Sequence, residues 1–256
     1  MKLEKTPFAC TRDGLTIRGF LLRTPGTKPL PGAVVSHEFL ENHRSVEKYA
    51  RALAEAGFAA FVYDFCGGCI LGKSDGKTQD MTVLTELGDL FAVMDHVLAR
   101  PDVLNGPLFL LGCSQGGFVS AMAAARRPRD VRRLALFYPA LSIPDDARKG
   151  RMIVYRFDPE NVPETLGRVP IALGREYALT AQGLDAFEAI RGYGGPVLLL
   201  HGTSDRIVDI DYSLRAAKQY GEQCRFVKIP GAGHIFRFAH AKTAARHLTE
   251  FACAAD

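Results

Sequence analysis

Apolar residues follow two patterns along the chain: short apolar runs, and longer stretches with apolar positions at helical spacing. The first residues predict a β-hairpin, with strands at 2–10 and 15–23 and a turn at Asp13-Gly14. After Gly32 the short runs alternate with helical stretches. This alternation is typical of an α/β fold with a mainly parallel central sheet and helices on both faces.

The bounds of the predicted elements follow from apolar periodicity and from the positions of glycine and proline. After the hairpin, strands are predicted at 33–35, 58–63, 108–111, 133–137, 197–200 and 225–229. Helices are predicted at 45–56, 82–99, 115–126, 212–220 and 239–252.

The alternation is interrupted between residues 139 and 195. This stretch contains five prolines and many charged residues, and only residues 179–190 have a helix-like pattern. Because it is too long for an ordinary connection, we expect an insertion that forms a small cap over one end of the sheet. The predicted organisation is therefore an α/β core of residues 1–138 and 196–256 with a cap of residues 139–195.

Composition restricts the class of protein. The 256 residues are 47% hydrophobic and 23% charged, as in globular proteins. The net charge of +4 is spread along the chain, which argues against a nucleic-acid partner. No apolar run approaches the roughly 20 residues that cross a bilayer, so no membrane partner is expected. The first residues lack the apolar segment of a secretory signal, which predicts a cytoplasmic protein with its six cysteines reduced. Cys66 and Cys69 are interpreted as structural residues and not as part of a metal site.

The sequence Gly112-Cys113-Ser114-Gln115-Gly116 matches the pattern G-x-S-x-G. It directly follows an apolar strand and precedes an alanine-rich helix, which is the strand–turn–helix context of a nucleophile elbow. Glycines at both ends of the pattern allow the tight turn. Ser114 is therefore the candidate nucleophile.

A serine hydroxyl needs a base to remove its proton, and the base needs an acid to orient it. In folds with this elbow the partners follow in the order serine, acid, histidine. Asp205 and His234 each come just after a predicted strand, at the edge where such sheets place their sites. Asp209 and Asp211 are the competing acids, and Asp211 is interpreted as a helix N-cap. His201 is interpreted as a buried structural histidine.

A tetrahedral intermediate also needs hydrogen-bond donors for its oxyanion. The backbone N–H groups of Gln115, next to the nucleophile, and of Phe39, after the strand at 33–35, are the expected donors. Glu38 precedes Phe39 and would repel the developing negative charge, so we expect its side chain to point away.

These motifs together make the sequence resemble the α/β-hydrolase superfamily, and within it the bacterial cinnamoyl (feruloyl) esterase-like carboxylesterases. The resemblance covers nearly the whole chain. Besides the residues above, it rests on segments 37–39, 64–68, 74–77, 81–86, 157–163, 174–177 and 201–205. It departs from the usual pattern in two places: Glu38 replaces a glycine, and Cys69-Ile70-Leu71 lengthens the loop 66–77.

The resemblance implies that the inner face of the cap recognises the aromatic acyl group of hydroxycinnamate esters. Asp145 or Asp146, together with Tyr177, would contact the ring hydroxyls. The expected activity is hydrolysis of small carboxylic esters through an acyl-enzyme, without a metal or cofactor, in a chain that could form a homodimer. A peptidase, a thioesterase or a lactone hydrolase with the same triad is the alternative, and a non-catalytic binding protein is a further one.

Overall fold

The strands and helices of the computed structural model lie within two residues of their predicted bounds over most of the chain. The structure describes residues 2–69, 71–152, 155–168 and 171–255. The strands are β1 Glu4–Arg12, β2 Leu15–Arg23, β3 Gly32–Ser36, β4 Ala59–Tyr63, β5 Leu108–Cys113, β6 Val131–Phe137, β7 Arg151–Met152, β8 Tyr155–Arg156, β9 Thr165–Leu166, β10 Leu173–Gly174, β11 Val197–Gly202 and β12 Cys224–Ile229. The helices are α1 His43–Glu55, α2 Val83–Leu98, α3 Gln115–Arg126, α4 Ile143–Arg148, α5 Arg175–Gln182, α6 Ala186–Ala189, α7 Ile210–Tyr220 and α8 Phe238–Ala252.

Eight strands form the central sheet in the order β1-β2-β4-β3-β5-β6-β11-β12. The hairpin pairs antiparallel within itself and against β4, and the remaining pairs are parallel. The predicted α/β fold with a mainly parallel sheet is therefore confirmed.

The parallel strands are buried on both faces, so alternate residues point into two separate cores. Val34 and Leu110 belong to the core that contains residues of α2, α3 and α7. Val35 and Leu111 belong to the opposite core, which is covered by α1 and α8. This arrangement brings the carboxyl ends of β3, β5, β11 and β12 to one edge of the sheet.

Two helix starts differ from the sequence-based expectation. Helix α1 begins at His43 because the Asn42 side chain caps it by accepting a hydrogen bond from Arg44 N. The interpretation of Asp211 as the cap of α7 is wrong: Asp209 is the cap, and its carboxylate accepts a hydrogen bond from Asp211 N.

The segment expected to form the cap contains α4 to α6 and two short antiparallel strand pairs, β7–β8 and β9–β10. The single helical piece predicted at 179–190 is wrong, because α5 ends at Gln182 and α6 begins only at Ala186. The Asp185 carboxylate accepts hydrogen bonds from the N–H groups of Phe187 and Glu188, and so starts a separate helix. Ile153, Val154, Val169 and Pro170 of this segment, and Ile70 of the lengthened loop, lie outside the described residues.

Among the described residues, no helix is both long enough and apolar enough to cross a membrane.

Candidate active site

Ser114 lies at the turn between β5 and α3 in a strained backbone conformation, with φ of 51° and ψ of −118°. The glycines around it permit close backbone contacts. A Cβ on Gly112 would lie 2.1 Å from the carbonyl oxygen of Gly116, and a Cβ on Gly116 would lie 2.3 Å from that of His37. The turn therefore requires these glycines, as its sequence pattern predicts.

Ser114, His234 and Asp205 form a continuous row of hydrogen bonds. The Ser114 Oγ lies 2.8 Å from His234 Nε2, and His234 Nδ1 lies 2.8 Å from Asp205 Oδ2. The three residues come from the loops after β5, β12 and β11, which meet at the carboxyl edge of the sheet. The side chain of Asp205 is fully buried, and that of His234 is only 9% exposed. This geometry can activate a serine hydroxyl as a nucleophile.

The Asp205 carboxylate has hydrogen-bond donors on both oxygens. Its Oδ1 accepts from the backbone N–H groups of Ile207 and Val208, at 2.9 and 3.1 Å. Its Oδ2 accepts from His234 and lies 3.0 Å from His201 Nε2. Burial by itself would raise the pKa of this carboxyl, but the hydrogen bonds from both histidines and from Ile207 outweigh it and hold the pKa well below its usual range. Asp205 is therefore ionised wherever the protein is folded near neutral pH.

The two expected oxyanion donors lie beside Ser114, and both contribute to the same cavity as the serine. Gln115 is the first residue of α3, so its backbone N–H has no partner within the helix. Over the described part of the chain, no group accepts a hydrogen bond from this N–H or from that of Phe39. Both donors are thus available to a ligand.

Glu38 directly precedes Phe39, is buried, and lies among the residues around the same cavity. Hydroxyl groups engage both oxygens of its carboxylate. Ser45 Oγ donates to one oxygen at 2.6 Å, and the Tyr138 hydroxyl donates to the other at 2.9 Å. The ring of Tyr138 in turn packs against His234, with centroids 5.0 Å apart. The Glu38 carboxylate is therefore directed towards these hydroxyls, which disperse its negative charge.

The side chain of Gln115 is held at both ends by residues from two other helices. Its Nε2 donates to Glu86 of α2 at 2.8 Å, and its Oε1 accepts a short hydrogen bond from the Tyr177 hydroxyl of α5. Burial raises the pKa of the Glu86 carboxyl to about 8, and the nearby Asp89 adds to this, although the hydrogen bond from Gln115 opposes it. Sequence reasoning did not single out Glu86, although its spacing from Val83 and Leu90 places it on the buried face of α2, and this spacing was the signal that could have found it.

A cavity of about 560 Å³ opens above Ser114 and His234. Its walls come from the loops of the sheet edge and from the segment 139–195. Its apolar lining includes Phe39, Leu40, Ile143, Met152, Ile171, Tyr177, Ile207 and Ile235. This shape suits a small, largely apolar ligand whose reactive carbon reaches Ser114.

The structure separates the two adjacent aspartates that were predicted to contact substrate. Asp146 lines the cavity and bonds to Ser142 and Arg151. Asp145 points to the other side of α4, where its carboxylate accepts from the Tyr212 hydroxyl at 2.6 Å and from Arg148 at 2.7 Å. Tyr177 lines the cavity through a ring that lies 5.7 Å from that of Phe39. The geometry therefore favours Asp146 over Asp145 as the residue that a bound ligand would meet.

In the described ranges, no group of three or more histidine, cysteine or acidic side chains could hold a metal ion. Cys66 and Cys69 are free thiols. Burial raises the pKa of the Cys66 thiol to about 12, with a further contribution from the Asp89 carboxylate, so this thiol is not a reactive nucleophile near neutral pH.

Comparison with known proteins supports a hydrolase. A solved structure of Est1E from Butyrivibrio proteoclasticus with ferulic acid bound superimposes with a TM-score of 0.86 and 30% sequence identity, and the match covers 96% of this chain and 97% of that one. The mitochondrial palmitoyl-protein thioesterase ABHD10 of Mus musculus is 27% identical over 76% of this chain, which spans 63% of that protein's length. The monoglyceride lipase of Mus musculus is 25% identical over 82% of this chain and 77% of its own.

Residues 28–168, more than half of the chain, match the family described as Hydrolase_4, serine aminopeptidase S33. Together with the eight-stranded sheet and the likeness to Est1E, the match identifies the type of protein. The chain belongs to the serine aminopeptidase S33 family and is an esterase-like α/β-hydrolase.

Proposed function

We propose that this protein is a serine carboxylesterase that hydrolyses small carboxylic esters, including hydroxycinnamate esters, through an acyl-enzyme. The proposal rests above all on the row of hydrogen bonds from Ser114 through His234 to Asp205 beneath a mainly apolar cavity. The relationship to esterase, thioesterase and lipase sequences supports an acyl-transfer reaction.

In the proposed reaction, His234 Nε2 accepts the proton of Ser114 as the serine oxygen attacks the ester carbonyl. The backbone N–H groups of Phe39 and Gln115 donate hydrogen bonds to the oxyanion. Asp205 holds the imidazole in the required orientation and stabilises the imidazolium. His234 then protonates the leaving alcohol, and the same histidine activates the water that releases the acid from Ser114.

The identity of the acyl group is the finer part of the proposal. In it, residues 139–195 act as a cap, and a hydroxycinnamoyl ring lies between the cap and Phe39. Asp146 and Tyr177 would contact the ring hydroxyl, with Tyr177 accepting a hydrogen bond from it while donating to Gln115. The binding of ferulic acid by Est1E supports this acyl group. Asp145, also expected from the sequence, has its carboxylate engaged by Tyr212 and Arg148, and so receives less support.

The test is a panel of substrates assayed with purified protein: p-nitrophenyl esters of increasing acyl length, methyl ferulate, acyl thioesters, monoacylglycerols and aminoacyl amides. The proposal expects the highest kcat/KM on esters, with methyl ferulate among the good substrates. A preference for thioesters or amides over all oxygen esters would contradict it.

The control for the nucleophile is a pair of serine variants. Ser114→Ala should lower kcat by a factor on the order of a million, because the members of such a triad act as a unit. Ser204→Ala, at an exposed serine in the loop of Asp205, should leave kcat unchanged. Ester turnover that survives in Ser114→Ala would refute the assignment of the nucleophile.

The homodimer expected from the sequence stays a prediction, which light scattering would check.

A further inference from the structure

His201 lies at the end of β11, is fully buried, and contacts the candidate acid of the triad. Its Nε2 is 3.0 Å from Asp205 Oδ2, the same oxygen that faces His234. The second ring nitrogen, Nδ1, lies 2.7 Å from the hydroxyl of Ser213, which is also fully buried, on α7. Packing alone would require neither of these contacts, since an apolar side chain of similar size would fill the same space.

We propose that His201 is a positioning residue: its Nε2–H fixes the Asp205 carboxylate in the orientation that receives the His234 imidazole. The proposal rests on the triad roles proposed above. His201 would not touch the substrate or the reacting atoms, and would act only through Asp205.

The hydrogen-bond directions around His201 are mutually consistent. The Asp205 carboxylate and the Val208 carbonyl can only accept, so the nitrogen that faces them, Nε2, must carry a proton, and in a neutral ring Nδ1 then accepts from the Ser213 hydroxyl. The Nε2–H group is 3.1 Å from the carbonyl oxygen of Val208, to which it donates a hydrogen bond, and Asp205 Oδ2 lies 3.0 Å from the same nitrogen as a second acceptor. Both acceptors belong to the loop 203–208 that carries the acid. The two acceptors therefore fix the tautomer, the Nε2–H group ties this loop to β11, and Ser213 holds the opposite side of the ring.

Each oxygen of the Asp205 carboxylate then has two donor groups within 3.1 Å. Two backbone N–H groups, from Ile207 and Val208, bind Oδ1, and two imidazoles bind Oδ2. The backbone donors bind only Oδ1, so the surroundings of Oδ2 are set by the two histidines. His234 gains and loses a proton during the proposed reaction, whereas His201 takes no part in proton transfer. The hydrogen-bond donor on His201 therefore stays unchanged throughout the cycle.

The test compares two substitutions at His201. His201→Gln keeps an N–H group near the original position of Nε2, whereas His201→Leu removes the donor and keeps an apolar volume. We expect kcat for p-nitrophenyl acetate to fall about 10- to 100-fold in His201→Leu, the effect of losing one hydrogen bond to a charged group, with KM little changed. His201→Gln should recover most of this loss.

A second readout does not depend on the identity of the substrate. The rate at which a fluorophosphonate labels Ser114 reports the reactivity of the nucleophile, and it should fall in parallel with kcat. If the wild-type protein is labelled rapidly but turns over none of the esters, the proposed function fails while the role of His201 is still measured by labelling.

Two results would overturn the role of His201. One is an unchanged labelling rate in His201→Leu, and the other is an equal loss in the Leu and Gln variants when both retain the near-ultraviolet circular dichroism of the wild type. Should His201→Leu fail to fold, Ser213→Ala decides, because it keeps the Nε2–H donor and removes only the hydrogen bond that orients the ring through Nδ1. A folded Ser213→Ala protein with a several-fold lower labelling rate supports the proposal, and an unchanged rate overturns it.

Discussion

Glu86 lies behind the candidate site, and its titration is a quantitative test of how burial changes the pKa of a carboxyl group. Its side chain is almost completely buried on α2 and contacts the side chain of Gln115. Burial raises the pKa of this carboxyl from 4.5 to about 8. The folded protein therefore holds a proton on Glu86 over a pH range in which the unfolded chain has released it.

The size and sign of the effect follow from proton linkage. Because the folded state binds more protons than the unfolded state between these two pKa values, stability is highest below the lower one and decreases as the pH rises. At about 1.36 kcal/mol per pH unit, the span from 4.5 to about 8 corresponds to a loss of about 5 kcal/mol in the free energy of unfolding. Glu86→Gln removes the titrating proton and should remove this dependence.

The assay is urea unfolding of the wild type and of Glu86→Gln, in unit steps between about pH 5 and pH 8. The stability of the variant relative to the wild type should increase by roughly 1.4 kcal/mol with each step. Glu222→Gln, at an exposed glutamate after α7, is the matched control and should follow the wild-type profile. If Glu86→Gln and the wild type gave parallel profiles, the reasoning from burial would be refuted.

Two other substitutions test contacts around Gln115 and Ser114. Tyr177→Phe leaves the buried Gln115 Oε1 without its donor, which should cost about 1–3 kcal/mol of unfolding free energy. It should also lower kcat/KM for methyl ferulate more than for methyl cinnamate, which has no ring hydroxyl; an equal loss for both would argue against the proposed substrate contact. Gly116→Ala would place a Cβ 2.3 Å from a backbone oxygen and should lower stability by more than about 3 kcal/mol in thermal unfolding. Gly194→Ala, where a Cβ would meet no atom within 4 Å, should be nearly neutral.

The parts of the structure that the sequence predicts are those set by local patterns. The strand before Ser114 and the helix after it are apolar, and Gly112 is needed for its close contact with Gly116, four residues later. Asp205 and His234 each follow a strand whose apolar run is clear. Once the sheet is parallel, the carboxyl ends of these strands meet at one edge, and so do the three side chains.

The parts that the sequence does not predict depend on packing between distant elements. His201 reads as a buried histidine, but only the placement of α7 shows that Ser213 meets the ring nitrogen opposite Asp205. Asp145 and Asp146 are neighbours on one helical turn and point in different directions, so only the position of α4 against the sheet decides which one meets the cavity. Helix α4 itself is too short to have a recognisable period.

The hydrogen bond between Tyr177 and Gln115 has a consequence for the cooperativity of unfolding. It joins α5 to α3, and through Glu86 to α2, by polar groups that are buried at every step. Local opening of α5 would leave a buried amide and a buried hydroxyl without partners, so this opening is energetically linked to loosening of the sheet core. In hydrogen exchange, we therefore expect residues 175–182 to open together with α3 and not as an independent hinged element.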